Sequence, residues 1–104
     1  MYHAHIYFDT NQINEAERLH EKITNHKGIN RIFPLVQREV GPHSKPMFEV
    51  HFSDNKQSFV EWLDNERGEL SVLIHPVSED ALADHTTRAV WLGAALPIKT
   101  AVLL

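Results

Sequence analysis

Cysteine is absent from all 104 residues. That single gap excludes a disulfide scaffold, thiolate zinc sites and a cysteine nucleophile. Any metal must therefore be held by imidazole and carboxylate. No apolar run approaches the ~20 residues that a membrane-spanning helix needs, so no membrane role is expected. The first residues carry neither the basic stretch nor the apolar stretch of a secretory signal, which makes the cytoplasm the expected address. Basic residues are few and scattered: ten Lys and Arg stand against fourteen Asp and Glu, for a net charge of −4. Phosphate binding needs clustered cations, so nucleic acid is not an expected partner. No linker, repeat or low-complexity stretch divides the chain, and its length suits one domain spanning residues 1–104.

Histidine, by contrast, occurs eight times. Two of the eight open the chain as His3-Ala4-His5, inside a run that alternates. Tyr2, Ala4, Ile6 and Phe8 take one side of that run, and His3, His5 and Tyr7 the other. A period of two predicts a strand with one apolar face. Ile13, Ala16, Leu19, His20 and Ile23 then recur at helical spacing up to Gly28. Arg31 to Val40 is rich in β-branched and aromatic residues and predicts a second strand, placed at an edge or bulge by Pro34. Gly41 to Pro46 is a turn by composition.

Met47 to Phe52 alternates again, with Phe48, Val50 and Phe52 against Met47, Glu49 and His51. Asp54 and Gln57 have the spacing of a capping box, and Phe59, Trp62 and Leu63 form a helical stripe that ends by Gly68. Leu70 to His75 predicts a fourth strand, stopped by Pro76. The order is strand, helix, strand, strand, helix, strand. This is the ferredoxin-like βαββαβ arrangement, an α+β fold with one antiparallel sheet and two helices on one face. A short helix capped by Asp84 and reaching Leu92, then an extended tail from Leu96 to Leu104, would follow.

If helices cover one face, the alternation assigns His3, His5, Tyr7, Met47, Glu49, His51, Leu73 and His75 to the other. In the ferredoxin-like order the first strand lies between the third and fourth. His5, Glu49 and His75 then occupy neighbouring strands ~4.8 Å apart, close enough to share one ion. Two imidazoles and a carboxylate with open positions suit non-haem Fe(II). The other histidines have blander readings. His20 packs beside the first helical stripe, His26 suits a helix C-terminus, and His51 can equally face solvent. His85 follows Asp84, which either orients its ring or caps a helix.

Four segments, YHAHIYF, GPHSKPMFEVHF, SVLIHP and DHTTRAVWLG, resemble in order and separation the DOPA 4,5-dioxygenase family of small ring-cleaving dioxygenases. The resemblance runs from Tyr2 to Leu96. It implies a ferredoxin-like homodimer that cleaves catechols such as DOPA in the extradiol sense, using O₂ and a non-haem metal. The family's histidines fall on His3, His5, His43, His75 and His85, and its acidic residue on Glu49. Two departures stand out: His43-Ser44 replaces a His-Pro step, and Val77-Ser78-Glu79 replaces Thr-Gly after the fourth strand.

On this reading His5, His43 and His75 hold Fe(II), with zinc or another divalent ion as a possible occupant. The turn motif favours His43 as third ligand, whereas sheet geometry favours Glu49. His3 and His85 would handle protons, since an imidazole titrates near neutrality. Tyr7, Phe33 or Met47 would line the ring slot, and Arg38 or Lys45 would meet a substrate carboxylate. Three alternatives remain open: a non-catalytic binder of metal or small ligands, a cofactor-free monooxygenase, and a structural interaction module.

Overall fold

The computed structural model describes all 104 residues, Met1–Leu104. It contains β1 (Tyr2–Tyr7), α1 (Ile13–Thr24), β2 (Arg31–Ile32), β3 (Met47–Phe52), α2 (Phe59–Glu66), β4 (Val72–Pro76), α3 (Ala81–His85) and β5 (Val90–Leu92). Short 3-10 turns cover Thr10–Gln12 and Thr100–Leu103. The strands form one antiparallel sheet in the order β2-β3-β1-β4-β5. The fold is α+β, and β1 lies between β3 and β4, as the ferredoxin-like order requires.

Apolar alternation drives one face of this sheet against the helices. Ala4, Ile6 and Phe8 from the first strand and its end join Phe48, Val50 and Phe52 of β3 and Val72 and Ile74 of β4. Against them pack Ala16, Leu19 and Ile23 of α1 and Phe59 and Leu63 of α2, all buried. Each of the larger side chains among these, the two alanines apart, contributes about 1.5–3 kcal/mol by leaving water. The i, i+3, i+7 spacing in α1 is what brings its three anchors onto one stripe.

The boundaries depart from the sequence reading in several places; the fourth strand, for one, runs Val72–Pro76 instead of Leu70–His75 and includes Pro76. The second strand is only Arg31–Ile32, because Pro34 has no N–H to donate; Val36 regains a single bridge to Met47. The helix α2 begins at Phe59 rather than after an Asp54–Gln57 box. There, Ser58 takes a left-handed conformation (φ 54°) and Asn55 Oδ1 accepts from the Val60 amide. The helix expected from Asp84 to Leu92 ends at His85, and Asp80, not Asp84, caps it by accepting from the Ala83 amide. Val90–Leu92 instead pairs with β4 as a fifth strand, with Leu92 entering the core. The tail is extended only around Ile98, which bridges to His43, before it coils into its 3-10 turn.

Half of the second sheet face is also covered. Tyr7, Met47 and Leu73 are buried there beneath Val40, Trp91, Leu96 and Ile98. The β2–β3 connection and the C-terminal segment thus close over one part of this face and leave the histidine rows beside it.

Candidate metal centre

Strand register sets the heights of the histidines. His3 is level with His51 on one side and His75 on the other, while His5 is level with Glu49 and Leu73. The expectation that His5, Glu49 and His75 share a level is therefore off by two residues for His75. The imidazole of His75 makes up the offset: its Nε2 lies 2.9 Å from His5 Nε2. The ring of His3 is 5.3 Å from that of His75 and stacks on His51 at 3.8 Å, nearly parallel. Nitrogen donors of His3, His5 and His75 lie within 4.8 Å of one another.

His43 comes from the turn at the edge of the covered half-face and is 4% exposed. Its ring is 4.1 Å from that of His5, and its Nδ1 is 2.6 Å from the Tyr7 hydroxyl. It shares a second donor set with His5 and His85, and a third set joins His3, Glu49 and His51. The expected trio of His5, His43 and His75 is not among these sets: His5 belongs with each of the other two, but they are not brought together. Glu49 contacts the network through His51, at 2.6 Å, and faces His5 Nδ1 at 3.6 Å. His51, read from the sequence as either site-facing or solvated, lies within this network; its strand parity was the signal.

His85 does reach the site, with its ring 4.0 Å from that of His75. It does so without Asp84. That carboxylate is buried and accepts from the Ser78 amide and hydroxyl and from Arg88, while His85 Nδ1–H donates to the Ala81 carbonyl. Burial alone would raise the Asp84 carboxyl, but the Ser78 and Arg88 bonds outweigh it and hold the group below its usual value. Asp84 thus pins the β4–α3 connection, which carries His85 over His75. Lys45 is committed to Asp9 at 3.0 Å.

Four of the clustered imidazoles, those of His3, His5, His43 and His75, are held toward their neutral form by burial. Burial lowers His3 and His43 to about 4, with the neighbouring His51 and His85 respectively adding to the effect. Burial and the adjacent His43 push His5 well below the ordinary imidazole range. His75 is lowered by burial, against the opposing pull of the Pro76 carbonyl. Burial also raises Tyr7, which stays a phenol able to donate to His43.

Neutral imidazoles carry one lone pair each, and that creates a conflict at His5. His75 Nδ1–H donates to the Pro76 carbonyl at 2.7 Å, so its Nε2 presents a lone pair to His5. If His5 Nδ1 carries the proton, as the facing carboxylate favours, two lone pairs oppose each other at 2.9 Å. If His5 Nε2 carries it, the lone pair of Nδ1 points at Glu49, and Nδ1 is in fact buried without a hydrogen-bond partner. A cation between the two Nε2 atoms resolves both problems. Ligand nitrogens ~2.0–2.1 Å from an ion and at right angles to each other lie about 2.9 Å apart, which is the spacing present. The donor set fits a divalent metal.

The chain matches the Dopa 4,5-dioxygenase family over residues 2–102. An uncharacterized 21.2 kDa protein of Botryotinia fuckeliana is 37% identical over 107 residues, which cover 91% of this chain and 58% of that protein. The DOPA 4,5-dioxygenase of Amanita muscaria is 30% identical over 111 residues, which cover 98% of this chain and 49% of that enzyme. The chain therefore spans about half the length of these curated relatives. A crystal structure of a Nostoc punctiforme protein, provisionally described as a dioxygenase, superposes with a TM-score of 0.90 at 33% identity, covering 98% of this chain and 89% of that one. No helix is long and apolar enough to cross a membrane. With residues 2–102 matched, nearly its whole length, the chain belongs to the Dopa 4,5-dioxygenase family.

Proposed function

We propose that this protein is a metal-dependent extradiol dioxygenase that opens the ring of a catechol, DOPA or a relative of it, with O₂. The observation that supports this reading most is the pair of facing Nε2 atoms of His5 and His75, 2.9 Å apart, with His5 Nδ1 buried and unpaired. His3, His5 and His75 hold the ion in this proposal; His3 replaces His43 as third ligand because it shares the donor set. Held by these three side chains, Fe(II) would supply Lewis acidity and one-electron exchange to a bound catechol.

The remaining side chains bind, orient and move protons. The Pro76 carbonyl fixes the His75 tautomer, and the Glu49 carboxylate, steadied by His51, faces His5 Nδ1 at 3.6 Å, where its charge favours a proton on that nitrogen. His85 Nε2 is left free by the Ala81 bond, so it can take the proton that a catechol hydroxyl loses on binding. His43 Nδ1 with the Tyr7 hydroxyl forms a second proton-holding pair on the buried side. Tyr7 and Trp91, stacked at 5.7 Å, wall off that side from water.

The test is anaerobic Fe(II) reconstitution followed by oxygen uptake with a panel of catechols. Uptake with a yellow ring-opened product, lost in His5→Ala together with bound iron, is the expected result. Activity that survives chelation refutes metal dependence and favours the cofactor-free monooxygenase. Imidazole donors also suit zinc. Zinc retained aerobically, with no oxygen uptake, would favour the binding role instead. The proposed homodimer is tested by light scattering, where twice the monomer mass is expected.

A further inference from the structure

The cross-strand histidine row, buried at His75 and half-buried at His3 and His51, does not end at His51. Arg31 of β2 pairs directly with His51, so one cross-strand row reads Arg31, His51, His3, His75 over four neighbouring strands. Residues directly opposite in an antiparallel pair share a face. Contacts between the side chains agree. The guanidinium lies 4.5 Å over the Phe33 ring, the Phe33 ring is 4.9 Å from that of His51, and His51 stacks on His3.

Arg31 is also uncommitted. Lys22, Lys45, Arg67, Arg88 and Lys99 each hold a carboxylate, whereas Arg31 has none. Arg18, Lys27 and Lys56 belong to α1 and to the loops flanking the helices. The carboxylate beside the row, Glu49, is engaged by His51 at 2.6 Å, so the free charge at the end of the row is positive. Phe33 limits how far the guanidinium wanders, which lowers the entropy lost when it pairs.

The geometry points to Arg31, seated on Phe33, as an anion-binding subsite that selects catechols carrying a carboxylate on a short arm. This rests on the proposed catechol reading of the His3/His5/His75 site and adds its specificity residue. Three strand steps separate Arg31 from His75, about 14 Å between backbones. An arginine side chain, a catechol ring and a short carboxylate arm fill such a span together. The arm would cross the flat His3–His51 stack, and its carboxylate would meet the planar guanidinium, which can bind it through two N–H donors. Arg38 and Lys45, the cations singled out from the sequence, lie outside this row.

The test is equilibrium binding under anaerobic conditions to the Fe(II)-loaded chain, by calorimetry, with two probes: 3,4-dihydroxyphenylpropanoate and the uncharged 4-propylcatechol. The wild type is expected to prefer the acid by about 10- to 100-fold, the range of one charge-assisted contact. Arg31→Met should abolish the preference while leaving 4-propylcatechol within about twofold. Arg31→Lys should keep part of it, and Arg38→Met all of it. A wild type without preference, including one that binds neither probe, overturns the subsite, as does an Arg31→Met variant that retains the preference. Binding is read without turnover. An Arg31-dependent preference in a protein that consumes no oxygen would therefore refute the dioxygenase reading and leave the subsite standing.

Discussion

Replacing Glu49 by Gln separates a carboxylate that orients His5 from one that binds the metal. The substitution keeps volume and one acceptor oxygen but removes the charge. Glu49 is 2.6 Å from His51 and 3.6 Å from His5 Nδ1, and its side chain is 27% exposed. A hydrogen bond to a charged group contributes about 1.5–3 kcal/mol, against about 0.5–1.5 for a neutral one. The difference of about 1–1.5 kcal/mol corresponds to roughly a tenfold change in affinity. Partners behind metal-bound histidines generally matter by about 10- to 100-fold. The long His5 contact and partial exposure of Glu49 place this case at the low end of that range. The assay is a competition titration of Co(II) or Zn(II) against a chromogenic chelator, with circular dichroism to check the fold. An affinity unchanged within about twofold removes Glu49 from the centre, and a loss well beyond 100-fold makes it a direct ligand. Either outcome refutes the orienting role.

Three further perturbations probe the surroundings. Tyr7→Phe leaves His43 Nδ1 without its hydroxyl partner in a buried position, and should cost about 1–3 kcal/mol by urea unfolding; an unchanged midpoint refutes the Tyr7–His43 bond. In the metal-free protein His43 is neutral when folded, with its value at about 4, and becomes protonated below 6.5 when unfolded. The unfolded chain then binds more protons, so stability is complete above about pH 6.5 and falls as the pH drops toward 4. For His43 alone the loss is roughly 2 kcal/mol at about pH 5, and a urea midpoint flat between pH 7 and 5 would contradict it. Asp84→Asn weakens the bonds from Ser78 and Arg88, so amide exchange should quicken across residues 78–88 and leave the core strands protected. Uniform quickening would show that this segment is not a separate unit.

Much of the site was legible because strand parity is rigid. Once Ala4, Ile6 and Phe8 face the helices, His3, His5 and Tyr7 must face away, and the same logic places Glu49, His51 and His75. Parity fixes the face but not the height. The two-residue offset between His5 and His75, and the side-chain reach that brings their Nε2 atoms together across it, depend on pairings set by the whole sheet. The C-terminal third was less readable for a related reason. Val90-Trp91-Leu92 is too short for its period to separate helix from strand, and pairing with β4 decides it. The Asp84-His85 step suggested a local carboxylate–imidazole pair. In the fold, Asp84 turns inward to Ser78 and His85 turns toward His75, because a buried carboxylate takes the strongest donors within reach.

Desolvation acts in opposite senses on protons and on the metal ion proposed for this cluster, and His5→Leu exposes both. Burial makes protonation unfavourable and leaves neutral lone pairs, which is the state a metal ion requires. In the metal-free fold the same burial leaves His5 Nδ1 unpaired, at a cost of about 1–3 kcal/mol. Leucine removes that orphan but strands His75 Nε2, whose partner was His5. These two terms are of equal kind and opposite sign. The metal-free variant should therefore unfold within about 1 kcal/mol of wild type, instead of showing the 2–5 kcal/mol typical of a damaged core. The metal response should differ sharply. A ligand at 100 times its dissociation constant stabilises a fold by about 2.7 kcal/mol, and His5→Leu should lose that increment entirely. Thermal unfolding with and without Zn(II) or Fe(II) reads both quantities at once. A variant that is still stabilised by metal would show that the ion is held elsewhere, by His43 and His85 or by Glu49 and His51, and the His5–His75 pair would then owe its close approach to packing alone.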